Sequence, residues 1–378
     1  MIANNKWLII IAILGCLCLH AAAESKQKPS YLKQIYSKSL KPESQIGILN
    51  DEMVILQKSK RTHFWSVDLI GSDGKLLKKE SFKTNSTFHP TSIFQANKNK
   101  VYILTYNPDR SNHGIIYSYQ LGHSLHLIHH FSGKDGTEPT SLVVTKTGEI
   151  VGITLFGGLN NKGVVFSITN GKYNVIHSFG GNDGALPSDL IQNVNGTLYG
   201  CTYRGGKYND GVIFTITLNG TYHILHDFDG IHGALPLSLV AGLHDHLYGT
   251  TTGIYGFNMD KKNKPILKYP MPNFGNVVFS ISDNGSYHII HKFNGTDGLI
   301  PTGIVIGENK ILYGSTTYGG RANFGNIYRI TPNGKYSVMH SFKTFNAHQL
   351  LSIHQNNYLI EFKVLNGIGK SVLKEYQI

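Results

Sequence analysis

Along most of the chain, apolar and β-branched residues alternate with polar ones in runs of five to seven, broken by Gly or Asn-Gly, and no stretch carries helical spacing. One portion reads TSLVVT, EIVGITLF, GVVFSIT and YNVIHSF in succession. Four such runs with tight connections predict a four-stranded antiparallel meander, its strands A to D in chain order. Asn170-Gly171, Asn219-Gly220, Asn284-Gly285 and Asn333-Gly334 fall between the third and fourth runs. A type I′ turn is expected at each, because Asn and Gly tolerate the positive φ it needs. Followed by Thr or Ser, several also resemble glycosylation sequons, but they read as turns.

The pattern repeats. FSGKDGTEPTSLV begins at Phe131, FGGNDGALPSDLI at Phe179, FDGIHGALPLSLV at Phe228 and FNGTDGLIPTGIV at Phe293. The opening aromatics Phe82, Phe131, Phe179, Phe228, Phe293 and Phe342 recur at intervals of 49, 48, 49, 65 and 49 residues. Two further markers drift in step: Tyr102, Val151, Tyr199, Tyr248 and Tyr313, mostly within LYG, and Tyr117, Phe166, Phe214, Phe279 and Tyr328. Four strands in about 48 residues is the unit of a β-propeller blade.

The ends set the expected blade number. After Phe342 the chain supplies three runs, LLSIHQ, NYLIEFK and SVLKEYQI. Near the start it supplies one unpaired run, SYLKQIYSKSL, whose Tyr36 and Pro42 imitate the Phe and Pro of the recurring phrase. Together they predict an all-β, seven-bladed propeller, its ring closed by the N-terminal strand (residues 31–40) joining the C-terminal blade. Residues 24–378 form one domain in this reading, with an insertion at 252–274 in the fifth blade.

The phrase itself spans the crossing from strand D of one blade to strand A of the next. Phe179 is expected to fill space between sheets, Gly181 and Gly184 to permit the bend, Asp183 to bond backbone amides and Pro187 to stiffen entry to the strand. The functional alternative is that Asp135, Asp183 and Asp297, with His232 in the equivalent slot, hold a ligand or Ca²⁺. One Asp per blade cannot supply the six to eight oxygens of a calcium site unless carbonyls converge. His129, His177, His226, His291 and His340 each precede the phrase's aromatic by two residues, on the same strand face. They belong to different blades, so they read as interblade hydrogen-bonding groups rather than a shared metal site.

In a propeller the D-to-A and B-to-C connections share one face, where departures from the repeat can carry function. The B-to-C loops vary most: LFGGLNNKG, YRGGKYNDG, the long TTGIYGFNMDKKNKPILKYPMPNFG, and YGGRANFG. The long one carries Tyr255, Phe257, Lys261 and Lys262, flanked on neighbouring blades by Arg204, Tyr208, Tyr318 and Arg321. Aromatics beside cations suit a protein partner or an acidic glycan.

Composition narrows the classes. The chain has 378 residues, 15% charged, with 42 Gly, 21 Tyr, 18 Phe and a formal net charge of +12. Basic runs do not alternate with stacking aromatics, so nucleic acid is not expected as a partner. The opening MIANNKWLIIIAILGCLCLHAAAES has the layout of a signal peptide ending at Ala23, which predicts export to the periplasm, cell surface or medium. The alternative is lipidation at Cys16, the only membrane attachment anticipated. Cys201 is the sole cysteine outside the leader, so no internal disulfide is possible, and a monomer is expected. No HExxH, GxSxG, Cys-His pair or zinc spacing occurs.

At LYGTT, GVVFSI, NGxYxxxHxF and FxGxDGALP, the chain resembles the bacterial tandem-repeat proteins called GloVer repeats, of the choice-of-anchor type. Units from about 120 to 345 match well and the flanking ones weakly. The resemblance implies a secreted, surface-associated propeller-like protein and leaves its molecular activity open. The expected function is a non-catalytic binding protein using the B-to-C and D-to-A loop face, without a cofactor. The alternatives are a propeller enzyme of lyase or cyclotransferase type with its site at the channel mouth, and an envelope scaffold.

Overall fold

A computed structural model describes residues 33–377, apart from 41–44, 50–51, 59–63, 71–74, 85–88, 98, 107–112, 243–245, 254–257, 260–264, 267–274, 308–309, 342–346, 354–355 and 366–369. For the strands within 33–53, 258–266 and 347–377 only the backbone is described. The expected leader, Cys16, Phe342 and the insertion residues Tyr255, Phe257, Lys261 and Lys262 lie outside the described residues.

The alternating runs become four-stranded antiparallel sheets, and among the described residues no helix breaks them. The four runs quoted first form strands Thr137–Val144, Ile150–Phe156, Val164–Thr169 and Lys172–Ser178, paired in sequence order. The next sheet is Ala185–Gln192, Leu198–Arg204, Val212–Ile216 and Tyr222–Asp227. It is followed by Pro236–Ala241, His246–Thr252, Asn276–Ser282 and Tyr287–Lys292, then by Leu299–Ile306, Leu312–Tyr318, Asn326–Ile330 and Tyr336–Ser341. Two sheets precede them: Gln45–Leu49, Glu52–Lys58, Phe64–Ile70 and Leu76–Lys83, and Pro90–Asn97, Lys100–Thr105, Ile115–Gln120 and His126–His130. At the ends of the chain, Lys33–Leu40 pairs antiparallel with Lys370–Gln377, which continues to Asn356–Leu365 and Ala347–Ile353.

The core is a series of interfaces between successive sheets. Val151, Ile153, Val165 and Phe179 of the 137–178 sheet pack on Leu190, Leu198, Val212 and Phe214 of the 185–227 sheet. The next interface repeats the arrangement with Tyr199, Ile213 and Phe228 against Leu239, Leu247 and Phe279. In both, the phrase's opening aromatic, Phe179 or Phe228, is fully buried, and each meets the next sheet's C-strand ring edge-on at 5.6 Å. Burying such a ring stabilises by about 3–5 kcal/mol relative to Ala.

The glycine of the LYG motif has a steric cause. Gly200 lies directly opposite Phe214 in the ladder, and a Cβ there would meet the ring at 2.3 Å. Gly152 beneath Phe166 is the same case. The aromatic of strand C lies flat across a position only hydrogen can occupy, which frees its outer edge for the neighbouring sheet.

The expectation for the Asn-Gly turns holds at one site and fails at three. Asn170 and Gly171 both have positive φ, 53° and 75°, as a two-residue type I′ hairpin requires. At 217–221 only Gly220 does, with its amide donating to Thr217 O at 3.0 Å and Thr217 N donating to Thr221 O at 3.0 Å. That is a three-residue loop: a type I turn closed by a left-handed glycine. The turns at Gly285 and Gly334 follow it. Each has one residue more than the 170–171 turn, and Pro332 suits the first central position of a type I turn.

Candidate ligand-binding face

The two loop families predicted to share a face are hydrogen-bonded together. In the B-to-C loop, Gly158 N donates to Gly133 O of the preceding crossing at 3.0 Å, and one repeat on, Gly206 N donates to Gly181 O at 2.9 Å. The far end of each loop reaches the following crossing: Lys162 O accepts from Leu186 N, and Asp210 O from Leu235 N, both at 2.8 Å. Each loop therefore staples two successive crossings.

This geometry demands an unusual backbone. Glu138, Leu186, Leu235 and Ile300, each immediately before a proline, have φ of 59°, 58°, 56° and 55°. Side chains of this size are uncommon there, and such a residue stores of order 1–3 kcal/mol. The amides of Glu138, Leu186 and Leu235 are held by carbonyls of the neighbouring loop, and that of Ile300 by the Asn276 side chain. Leu186 and Leu235 pack with Phe156, Tyr203 and Leu237, forming an apolar lining on this face.

Of the candidate carboxylates, three are committed to the scaffold. Asp183 Oδ1 accepts from the amides of Gly180 and Gly181 at 2.8 and 3.0 Å, and Oδ2 lies 2.8 Å from His177 Nε2. Asp135 binds the Ser132 amide and hydroxyl and lies 2.9 Å from His129; Asp297 binds the Asn294 amide and lies 3.0 Å from His291. Burial opposes ionisation of Asp135, but Ser132 and His129 outweigh it and hold the carboxyl below its ordinary value. Each of these histidines stacks on a tyrosine from the next sheet: His129 on Tyr173 at 3.8 Å, His177 on Tyr222 at 4.3 Å and His291 on Tyr336 at 4.0 Å. The tyrosine hydroxyl donates to the carbonyl of the same aspartate. Burial drives Tyr173 and Tyr222 far above the usual phenol range, so each stays a donor. The interblade reading of these histidines is what the geometry shows.

His232 breaks the rule. It occupies the slot of Asp183, while Asp229 stands where the other crossings have Ser132, Gly180 or Asn294. Asp229 Oδ1 accepts from the amides of Ile231 and His232, and Oδ2 lies 2.7 Å from His232 Nδ1. The His232 side chain is 62% exposed, and its Nε2 carries no bond among the described residues. Nearby, Arg204 approaches Asp210 at 3.8 Å. Burial raises the Asp210 carboxyl; Arg204 opposes the rise and Asp229 adds to it. Lys207 Nζ sits 4.9 Å from the centre of the exposed Tyr208 ring, and its amide donates to Asp227 at 2.7 Å.

On the far side of the insertion, Tyr318 ends strand Leu312–Tyr318 half-buried, and Arg321 is exposed. The structure does not join these two to the Arg204 group by any described contact. The insertion leaves the sheet after Thr252 and returns at Asn276, and within it Asn258–Met259 pairs with Pro265–Ile266. Among the described residues, no three His, Cys, Asp or Glu side chains are placed to hold a metal ion.

Sequence reasoning missed Asp210 and Asp229. Superposing the four phrases makes Asp229 visible as an acid out of its slot, but Asp210 emerges only when Arg204 is seen beside it. It also missed Asp189, a buried carboxylate in the slot of Ser141 and Ser238, which accepts from Leu190 N and Leu239 N at 2.9 Å and from Ser141 Oγ at 3.3 Å, tying three sheets together. Cys201 is fully buried in a strand, with Ser188 Oγ 3.2 Å from its sulfur, and serves as a small packing residue.

Repeated four-stranded sheets stapled through one loop face define a propeller-like repeat protein. The family model for the Gloeobacter/Verrucomicrobia repeat matches residues 59–260, and the chain belongs to that family. No curated protein matches it in sequence. Among solved structures, selenomethionine-substituted virginiamycin B lyase from Staphylococcus aureus superposes with a TM-score of 0.61 at 15% identity, covering 92% of this chain and 100% of the other. A protein from Lactobacillus plantarum (12% identity, 81% and 84% covered, TM-score 0.46) and PQQ-bound aldose sugar dehydrogenase from Streptomyces coelicolor (10% identity, 90% and 98% covered, TM-score 0.44) are more distant. At 15% identity the likeness to the lyase is one of fold, a β-propeller.

Proposed function

We propose that this protein is an exported, non-catalytic, seven-bladed propeller that binds an acidic glycan on the face built by its B-to-C and D-to-A loops. Export rests on the leader pattern, and ring closure is supported by the pairing of Lys33–Leu40 with Lys370–Gln377. The observation that carries the binding site is the exchange at the fourth crossing. At Asp135, Asp183 and Asp297 the loop aspartate is consumed in holding a seam, whereas Asp229 instead presents an exposed His232, near Arg204 and two residues from Ala234, which bonds Gly253 and Gly275 at the two ends of the insertion. Cations and an aromatic on a stapled loop face suit sugar rings bearing carboxylates.

The test is thermal unfolding of the purified protein against acidic and neutral glycans, with Ca²⁺ and a chelator as controls. A ligand at a hundred times its dissociation constant adds about 2.7 kcal/mol of stability. Deleting residues 255–270 should leave the fold intact and abolish the shift. A shift that survives this deletion and Arg204→Ala would move the site elsewhere; silence across the panel would point to a protein partner.

The Asp229–His232 couple favours a second reading, a propeller enzyme using His232 as a base. A carboxylate on Nδ1 leaves Nε2 free to take a proton. Turnover of a bound glycan that is lost in His232→Gln while binding persists would establish it.

A further inference from the structure

Far from that face in sequence, the outer strand of the 45–83 sheet departs from its counterparts in a different way. Residues Lys75, Leu76, Leu77, Lys78 and Lys79 are exposed without interruption. The ladder with Phe64–Ile70 bulges here, between the Ile70–Leu76 and Leu69–Lys78 pairs, so Leu77 is the extra residue and the exposed run sits where regular pairing is interrupted. Leu76 and Leu77 are each 53% exposed. In the corresponding strands the exposed aliphatics are single residues, Leu127 at 53% and Val175, Ile224, Ile289 and Val338 at 37–43%. The residue aligned with Leu76 there is the tyrosine that stacks on the preceding sheet's histidine.

Charge makes the strand more distinctive. Lysines stand on both sides of the two leucines; Lys78 pairs with Glu80, Lys79 with the buried Asp68 at 2.7 Å, and Glu80 is also held by the Tyr119 hydroxyl and the Gly122 amide. Glu80 thereby ties this strand to the next sheet, whose outer strand adds Leu127, also 53% exposed. The edge strand's lysines oppose pairing with a second, like-charged copy of the chain. Exposed aliphatic tips flanked by cations match an anionic lipid surface, where leucines enter the acyl boundary and ammonium groups stay among the phosphates.

We infer that Leu76 and Leu77, with the lysines around them, dock this protein on anionic membranes. This contact is independent of the glycan reading and needs no lipid anchor. The experiment is co-sedimentation of the purified protein with phosphatidylcholine vesicles and with vesicles containing a third phosphatidylglycerol. Binding to the anionic vesicles alone is expected, weakened at least tenfold in Leu76→Ser/Leu77→Ser, which leaves the charge unchanged and removes no buried group. Lys75→Glu/Lys83→Glu should weaken binding comparably, with an unchanged melting temperature as the check on folding. Binding to neither vesicle overturns the inference. Binding to anionic vesicles that the leucine variant retains in full also overturns it, because a chain of net charge +12 would then be adsorbing through charge alone.

Discussion

The seam between the 137–178 and 185–227 sheets and the seam that follows it are built from the same rings and differ in one exchange. At the first, His177 stacks on Tyr222, meets Phe179 edge-on at 4.9 Å and lies 2.8 Å from Asp183. At the second, His226 stacks on Tyr287 at 4.1 Å and meets Phe228 edge-on at 4.8 Å, but His232 occupies the aspartate's slot. No hydrogen bond joins the His226 ring to a carboxylate among the described residues. Tyr287 still donates to the carbonyl at that position, now of His232, at 2.6 Å. The apolar part of the seam is thus indifferent to the exchange, because ring packing does not depend on which side chain follows four residues later. The polar part is not, and the carboxylate removed from the seam reappears on the loop face as the partner of an exposed imidazole.

The largest effect that tests the likeness of the two seams is removal of the buried ring. Phe179→Ala and Phe228→Ala should each cost about 3–5 kcal/mol in chemical denaturation. Unequal losses would mean that the seams differ in packing as well as in polarity. Next, Gly200→Ala places a methyl where the Phe214 ring lies at 2.3 Å and should cost about 1–3 kcal/mol.

A smaller change separates the seams directly. Asp183→Ala removes two amide bonds and the contact to His177, and because this carboxylate is partly solvated the loss should be about 1 kcal/mol. The double variant Asp229→Gly/His232→Asp writes the first seam's pattern into the second. It should gain up to about 1 kcal/mol and lose glycan binding; unchanged stability would show that His226 does not accept the restored carboxylate.

The smallest effect is in the pH profile. Burial lowers the folded pKa of His226, with the nearby Asp229 and Asp227 only partly offsetting it, and lowers that of His129 likewise. A depressed folded value means the unfolded chain binds the proton first. Stability is therefore complete above the unfolded imidazole value of about 6.5 and declines as pH falls through the lower folded value. Asp135 and Asp229, also depressed, extend the decline in the same direction below the ordinary carboxyl range. The melting temperature should fall on acidification from pH 7, and less so in His226→Phe.

Much of this was legible along the chain. Alternation located the strands, the interval of 48 to 49 residues defined the sheets, and Phe179 and Asp183 were read in the roles they hold. These are local properties: period-two patterning decides which face a side chain takes, and a turn is closed by residues within a few positions of one another. Even the shared loop face followed from alternating strand direction. Only the three-residue hairpins escaped, because Asn-Gly suits either loop length and the count of residues between ladder partners decides.

What tertiary structure alone decided concerns pairs far apart in sequence. His177 finds Tyr222, Arg204 finds Asp210 and Asp189 reaches two neighbouring sheets only once the sheets stand side by side. The joint exposure of Leu76 and Leu77 likewise required knowing what packs against the bulged end of their strand. A sequence specifies the side chains that can meet; which of them do meet depends on the angle and spacing between sheets, a cooperative result of the whole buried interface.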